Sequence, residues 1–136
     1  MRIHLHAKDW KDALYQAGSI LVEDGSITNG YIDAMIQSIV DHGPYIVLMP
    51  KFALAHAEPS KDVLQTEMAL AVFDEDIDFQ SYNGPVRLIV VLASVDKTSH
   101  LERLGAMASK MMDDMTLMDR IIQSNSIDEI SEWINN

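Results

Sequence analysis

At 136 residues the chain has room for one hydrophobic core and not for two, so a single domain over residues 1–136 is expected. Its apolar content of 48% with 23% charged residues suits a soluble globular protein. No run of apolar residues is long enough to cross a membrane, and the start MRIHLHAKDW lacks the apolar stretch of an export signal, so a cytoplasmic address without membrane insertion is expected. A net charge of −11 repels nucleic acid and attracts a basic protein partner, while zero cysteines exclude disulfides, thiolate nucleophiles and Cys-based metal sites.

In chain order, RIHLHA alternates Ile3 and Leu5 with polar neighbours, the period of a short strand. Asp9 is placed to cap a helix whose apolar stripe is Trp10, Leu14, Ala17 and Leu21 and which ends near Gly25. Thr28 is placed to cap a second helix, with Tyr31, Met35, Ile36 and Ile39 on one face and a stop at His42-Gly43-Pro44. Three strands are expected at YIVLM 45–49, EMALAVF 67–73 and VRLIVVLAS 86–94, the last apolar throughout as befits a sheet centre. Past Ser99 the spacing of Leu101, Leu104, Ala108, Met111 and Met115 is helical. TLMDRIIQS 116–124 and SIDEISEWIN 126–135 read as two closing helices, the second opened by a Ser126–Glu129 capping box. Helices at both ends around apolar strands predict an α/β fold, a three-layer α/β/α sandwich on a central mixed sheet.

Two of the five histidines fall where such sheets gather reactive groups. His56 lies in a proline-bounded loop after the strand 45–49, and His100 follows the strand 86–94. If those strands run parallel, both imidazoles converge on one rim beyond the carboxyl ends. Thr98 or Ser99 is a natural N-cap, which puts His100 in a first helical turn whose free N–H groups and positive dipole end attract an anion and favour the neutral ring. Neutral imidazole is a nucleophile towards phosphorus, and phosphoryl transfer asks mainly for positioning and charge neutralisation, with no cofactor or metal. The plain alternatives are a solvated loop residue for His56 and a surface residue for His100.

Other features have similar pairs of readings. His4 and His6 lie at i and i+2 on one strand face, as two metal ligands or as ordinary surface residues. His42 is most simply a helix C-terminal residue that suits the dipole. The acids of FDEDIDF 73–79 lack the pattern of a calcium loop and read as a solvated connection. Met107, Met111 and Met115 share a helical face, either as core or as an adaptable docking surface.

The segments GPYIVLMPKFALAHAEP and VLASVDKTSHLERL resemble the EIIA components of the phosphoenolpyruvate-dependent sugar phosphotransferase system, in the mannitol, fructose and ascorbate branch. The likeness runs from about Trp10 to Ile134, and YIDAMIQSIVDHGPYIVL is most similar to the ascorbate-type members. It implies that His56 takes the phosphoacceptor place of a Pro-Gly-hydrophobic-Ala-x-Pro-His motif, and that Asp96 and His100 match an Asp-x-x-x-His motif whose histidine stands beside it. His56 would receive a phosphoryl group from the phosphocarrier HPr and pass it to the EIIB component of a permease for ascorbate or a related sugar. Phe52 and Leu54 would then form either an apolar rim that excludes water or ordinary core. Three departures from the motif are Lys51 where glycine is usual, Ala55 where proline is usual, and Glu58 where arginine is expected, with Lys51 placed to offset the charge of Glu58. A regulatory domain whose partner binding is switched by phosphorylation of His56 is the alternative function.

Overall fold

The computed structural model describes residues 1–135, and the side chain of Met115 lies outside what it describes, as does the expected packing of that residue. β1 (Arg2–Leu5) leads into helices α1 (Trp10–Glu23) and α2 (Asn29–His42). Then come β2 (Val47–Met49), β3 (Lys51–Ala55), β4 (Glu67–Ile77) and β5 (Val86–Ala93), closed by α3 (Lys97–Asp113), α4 (Met115–Gln123) and α5 (Ile127–Asn135). The sheet order is β1-β4-β5-β3-β2, with β1/β4 and β3/β5 parallel and β4/β5 and β2/β3 antiparallel. The expected mixed sheet is therefore present.

Alternation along the strands separates two cores. In β5, Ile89, Val91 and Ala93 face α1 and α2, while Leu88, Val90 and Leu92 face the layer of α3, α4 and α5. Small residues line the first face (Ala53, Ala55, Ala69, Ala71), against Leu14, Leu21, Tyr31 and Met35 from the helices. Larger ones line the second (Phe52, Leu54, Leu70, Val72), packed on Met107, Met111, Met118 and Ile121. Gly18 allows α1 and α2 to approach, since a Cβ there would lie 2.7 Å from Ile32 Cγ1. Met107 and Met111 are thus core, the plainer of their two readings.

Helix ends follow local chemistry. The Asp9 carboxylate accepts from the Asp12 N–H (2.8 Å) to start α1, and the Ser126 hydroxyl accepts from the Glu129 N–H (3.2 Å) to start α5. Gly43, at φ 86°, ends α2. Thr28 occupies the cap position of α2 but makes no side-chain cap; its hydroxyl donates to Asp62 Oδ1 (2.6 Å) and ties the 56–66 segment to the helix start.

Three expectations are corrected. The segment KFALA after Pro50 is a strand, β3, and not loop. The expected strand 45–49 contributes only Val47–Met49, antiparallel to β3 and therefore also to β5, so it is not the parallel partner of 86–94. β4 runs on through Asp74, Glu75 and Asp76 to Ile77, which pairs with Val86, so most of the acidic stretch is strand and not connection.

Candidate functional site

Parallel pairing of β3 and β5, with Ala55 opposite Val91, brings both strand ends to one edge of the sheet. His56 is the first residue beyond β3, and His100 comes from α3, which starts just after β5. Their ring centroids stand 5.4 Å apart at 59°. The convergence expected of the two histidines is therefore present, but it is β3, not β2, that delivers it.

His56 is held on several sides. Its Nδ1 lies 2.9 Å from the Leu54 carbonyl oxygen, which only accepts, so Nδ1 carries the proton and donates. That tautomer leaves the lone pair of Nε2 unused. Tyr45 meets the imidazole edge-on with centroids 5.5 Å apart, and its hydroxyl stands 2.8 Å from Ser38 Oγ and donates to the His56 carbonyl at 3.4 Å. Behind the loop, the buried Tyr31 hydroxyl accepts from the Ala57 N–H (2.9 Å) and donates to the Leu92 carbonyl (2.7 Å). Burial pushes the Tyr31 phenol up to about 12, so it remains a donor at any ordinary pH.

His100 is buried, at 6% exposure, and its Nδ1 has no hydrogen-bond partner. The cap of α3 is Asp96, whose carboxylate accepts from the Ser99 N–H (2.8 Å), and not Thr98 or Ser99. The His100 N–H is itself bonded to the Asp96 carbonyl (3.1 Å), so this residue sits one step too deep to offer a free amide. Its pKa is lowered, as expected, but chiefly by burial and then by the charge of His56, against a smaller opposing pull from Glu58.

Ser38, His42, Tyr45, His56, Ala57 and Glu58 line an open cleft of about 380 Å³. Sequence patterning hid Tyr31 and Tyr45, which read as members of apolar runs, and it singled out nothing at Ser38. Phe52 and Leu54 do not form a rim: both are at most 1% exposed and belong to the core beneath α3. Lys51 does not approach Glu58, since it starts β3 and lies five residues, about 16 Å at a strand's rise, from His56. Its φ of 73° is the left-handed conformation that glycine adopts freely, which explains why the motif has glycine there.

His4 and His6 lie away from this edge. His4 Nδ1 bonds Asp74 Oδ1 (2.9 Å) and Nε2 bonds Asn125 Oδ1 (2.8 Å), while His6 Nε2 approaches Asp74 Oδ2 at 3.5 Å. The hydrogen bond to Asp74, then that to Asn125, raises the pKa of His4. Among the described residues no group of three or more His, Asp, Glu or Cys side chains could hold a metal. Among them, too, no helix is long and apolar enough to cross a membrane.

The described residues thus form a mixed α/β sandwich that presents two imidazoles at the carboxyl edge of a parallel strand pair. Residues 1–136 match the family described as "Phosphoenolpyruvate-dependent sugar phosphotransferase system, EIIA 2", and the chain belongs to that family. It is 27% identical over 136 residues to the ascorbate-specific PTS system EIIA component of Shigella boydii serotype 4, covering 99% of this chain and 88% of that one. The solution structure of the mannitol-specific cryptic phosphotransferase enzyme IIA of Escherichia coli superposes with a TM-score of 0.87 at 26% identity, covering 98% and 90% of the two chains. At 21% identity and a TM-score of 0.81 (98% and 93% covered), the fold is shared with the mannitol enzyme IIA of E. coli, solved as a complex with phosphorylated enzyme IIB.

Proposed function

We propose that this protein is a phosphohistidine carrier: His56 accepts a phosphoryl group from HPr and hands it to an EIIB component of a permease for ascorbate or a related sugar. One observation carries the reading. The Nδ1–H of His56 is committed to the Leu54 carbonyl, which leaves the Nε2 lone pair free, and the ring lines an open cleft and stands beside a second imidazole. In the forward step the Nε2 lone pair forms a bond to phosphorus while the donor's bond to phosphorus breaks, its electron pair leaving on the donor atom. The proton stays on Nδ1 throughout, donated in a hydrogen bond to the Leu54 carbonyl. The same exchange in reverse, with EIIB as acceptor, discharges the carrier.

His100 supports the transfer as a neutral hydrogen-bond donor to a phosphoryl oxygen. Its lowered pKa suits that role, because an uncharged ring binds the oxygens without arresting the group. The phosphoryl group must travel between proteins, so the site lies at an accessible edge. Membership of the family supports the relay, as does the complex that the mannitol enzyme IIA forms with phosphorylated enzyme IIB.

The test uses PEP, enzyme I, HPr and labelled phosphate. The wild-type protein takes label and passes it to a cognate EIIB, and His56→Ala takes none. His100→Ala folds and transfers slowly, with a loss of ~2–4 kcal/mol of transition-state stabilisation, roughly 30- to 1,000-fold in rate, as for an oxyanion donor. Label on the His56→Ala protein refutes the acceptor assignment, and an unchanged rate in His100→Ala removes His100 from the chemistry.

A further inference from the structure

A phosphoryl group on His56 Nε2 brings a dianion into a cleft poor in positive charge. Among the described residues no lysine or arginine lines it. Two features of the wall are negative instead. Glu58 contributes a carboxylate, and α2 ends here, so its carbonyl-bearing terminus presents about half a negative charge. His100 is buried, and burial together with the charge of His56 favours its neutral form. With Nδ1–H kept and Nε2 bonded to phosphorus, the His56 ring carries one positive charge against the two negative charges of the phosphoryl group, so one charge is left to be neutralised from the wall.

His42 is the remaining cation-capable side chain of the described lining. It is exposed, and it is the last residue of α2, where a positive charge also offsets the helix dipole. It shares the cleft wall with Ser38, Tyr45, His56 and Glu58, and its neighbour on α2, Asp41, accepts from Gln37 Nε2 (2.8 Å). Building on the phosphoacceptor reading of His56, we propose that His42 is a phosphoryl-binding residue, its imidazolium donating a charge-assisted hydrogen bond to a phosphoryl oxygen on His56 Nε2. Two of the three oxygens on the transferred phosphorus are then held by unlike imidazoles: a buried neutral donor from α3 and an exposed cation from α2. Glu58 opposes the same dianion, and His42 stands against that repulsion.

The experiment uses potassium phosphoramidate, a small donor that needs no protein docking surface, and follows label on His56 by mass spectrometry. His42→Gln slows labelling about tenfold, the loss of one charge-assisted hydrogen bond at an open site, and shortens the lifetime of the phosphorylated form. His42→Arg, which restores a permanent cation, stays within about threefold of wild type. Glu58→Gln speeds labelling, and in the His42→Gln background it recovers part of the lost rate. A His42→Gln protein that labels as fast as wild type overturns the inference, as does a His42→Arg protein as slow as His42→Gln. Circular dichroism of each variant separates a folding loss from a charge effect, and the Glu58→Gln arm tests the same field without altering His42. A wild-type protein that labels on a residue other than His56 overturns the phosphoacceptor reading itself, a result distinct from a failure confined to His42.

Discussion

Replacing Tyr31 by phenylalanine removes one oxygen atom from the structure and disturbs the whole loop that carries His56. The hydroxyl accepts from the Ala57 N–H at 2.9 Å and donates to the Leu92 carbonyl at 2.7 Å, and it is enclosed, since Tyr31 has no solvent exposure. Phenylalanine fits the same space but leaves a buried donor and a buried acceptor unpaired, each at a cost of about 1–3 kcal/mol. Relaxation of the loop offsets part of this, so the net loss is about 2–4 kcal/mol. With an unfolding entropy of about 2.1 cal/mol/K per residue, a chain of 136 residues has about 0.29 kcal/mol/K in total. The melting temperature therefore falls by roughly 7–14 °C. Thermal unfolding followed by circular dichroism measures the drop, and 15N shifts of the His56 ring report whether Nδ1 keeps its proton. The expected result is a large drop together with a mixed His56 tautomer. A melting point within about 2 °C of wild type would refute the assignment of Tyr31 as the anchor of the loop.

Two further outcomes follow from particular residues. Lys51→Gly relieves a left-handed backbone at φ 73° and raises the urea midpoint, by a stabilisation of about 1 kcal/mol; a fall in the midpoint contradicts the strain argument. His100, whose folded-state pKa is lowered, binds its proton more readily when unfolded, so its contribution to stability is present above about pH 6.5 and is lost as the pH falls towards its folded pKa. His100→Gln therefore flattens the acid side of the stability profile, read from urea unfolding at several pH values, and an unaltered slope removes His100 as its source.

Much of this fold is legible in the sequence because its elements announce themselves. The stripe Leu14, Ala17 and Leu21 and the unbroken run of β5 leave little choice of period or burial, and Asp9 and Gly43 mark helix ends by known chemistry. β3 was less visible, since Lys51–Ala55 holds two alanines and follows Pro50, a composition typical of loops; only its pairing with β5 makes it a strand. Asp74, Glu75 and Asp76 look solvated because they are intermediate or exposed, yet β4 runs on past a register shift to Ile77, which pairs with Val86. At the site, His56 and His100 stood out as rare residues beyond apolar runs. Tyr31 and Tyr45 did not, because a phenol that anchors a loop and a phenol that fills a core have the same helical or strand spacing. Asp96 rather than Ser99 caps α3, and that shift of a few residues turns the His100 amide from free to bonded.

The nitrogen atom proposed to accept the phosphoryl group is read directly by NMR. Protein labelled with 15N in its histidine rings is charged with PEP, enzyme I and HPr, and the nitrogen coupled to phosphorus is identified from its shift and its coupling to 31P. The expected result is a single phosphoryl group on Nε2 of His56, with Nδ1 still protonated against the Leu54 carbonyl. Phosphorus on Nδ1 of His56, or on His42 or His100, contradicts it.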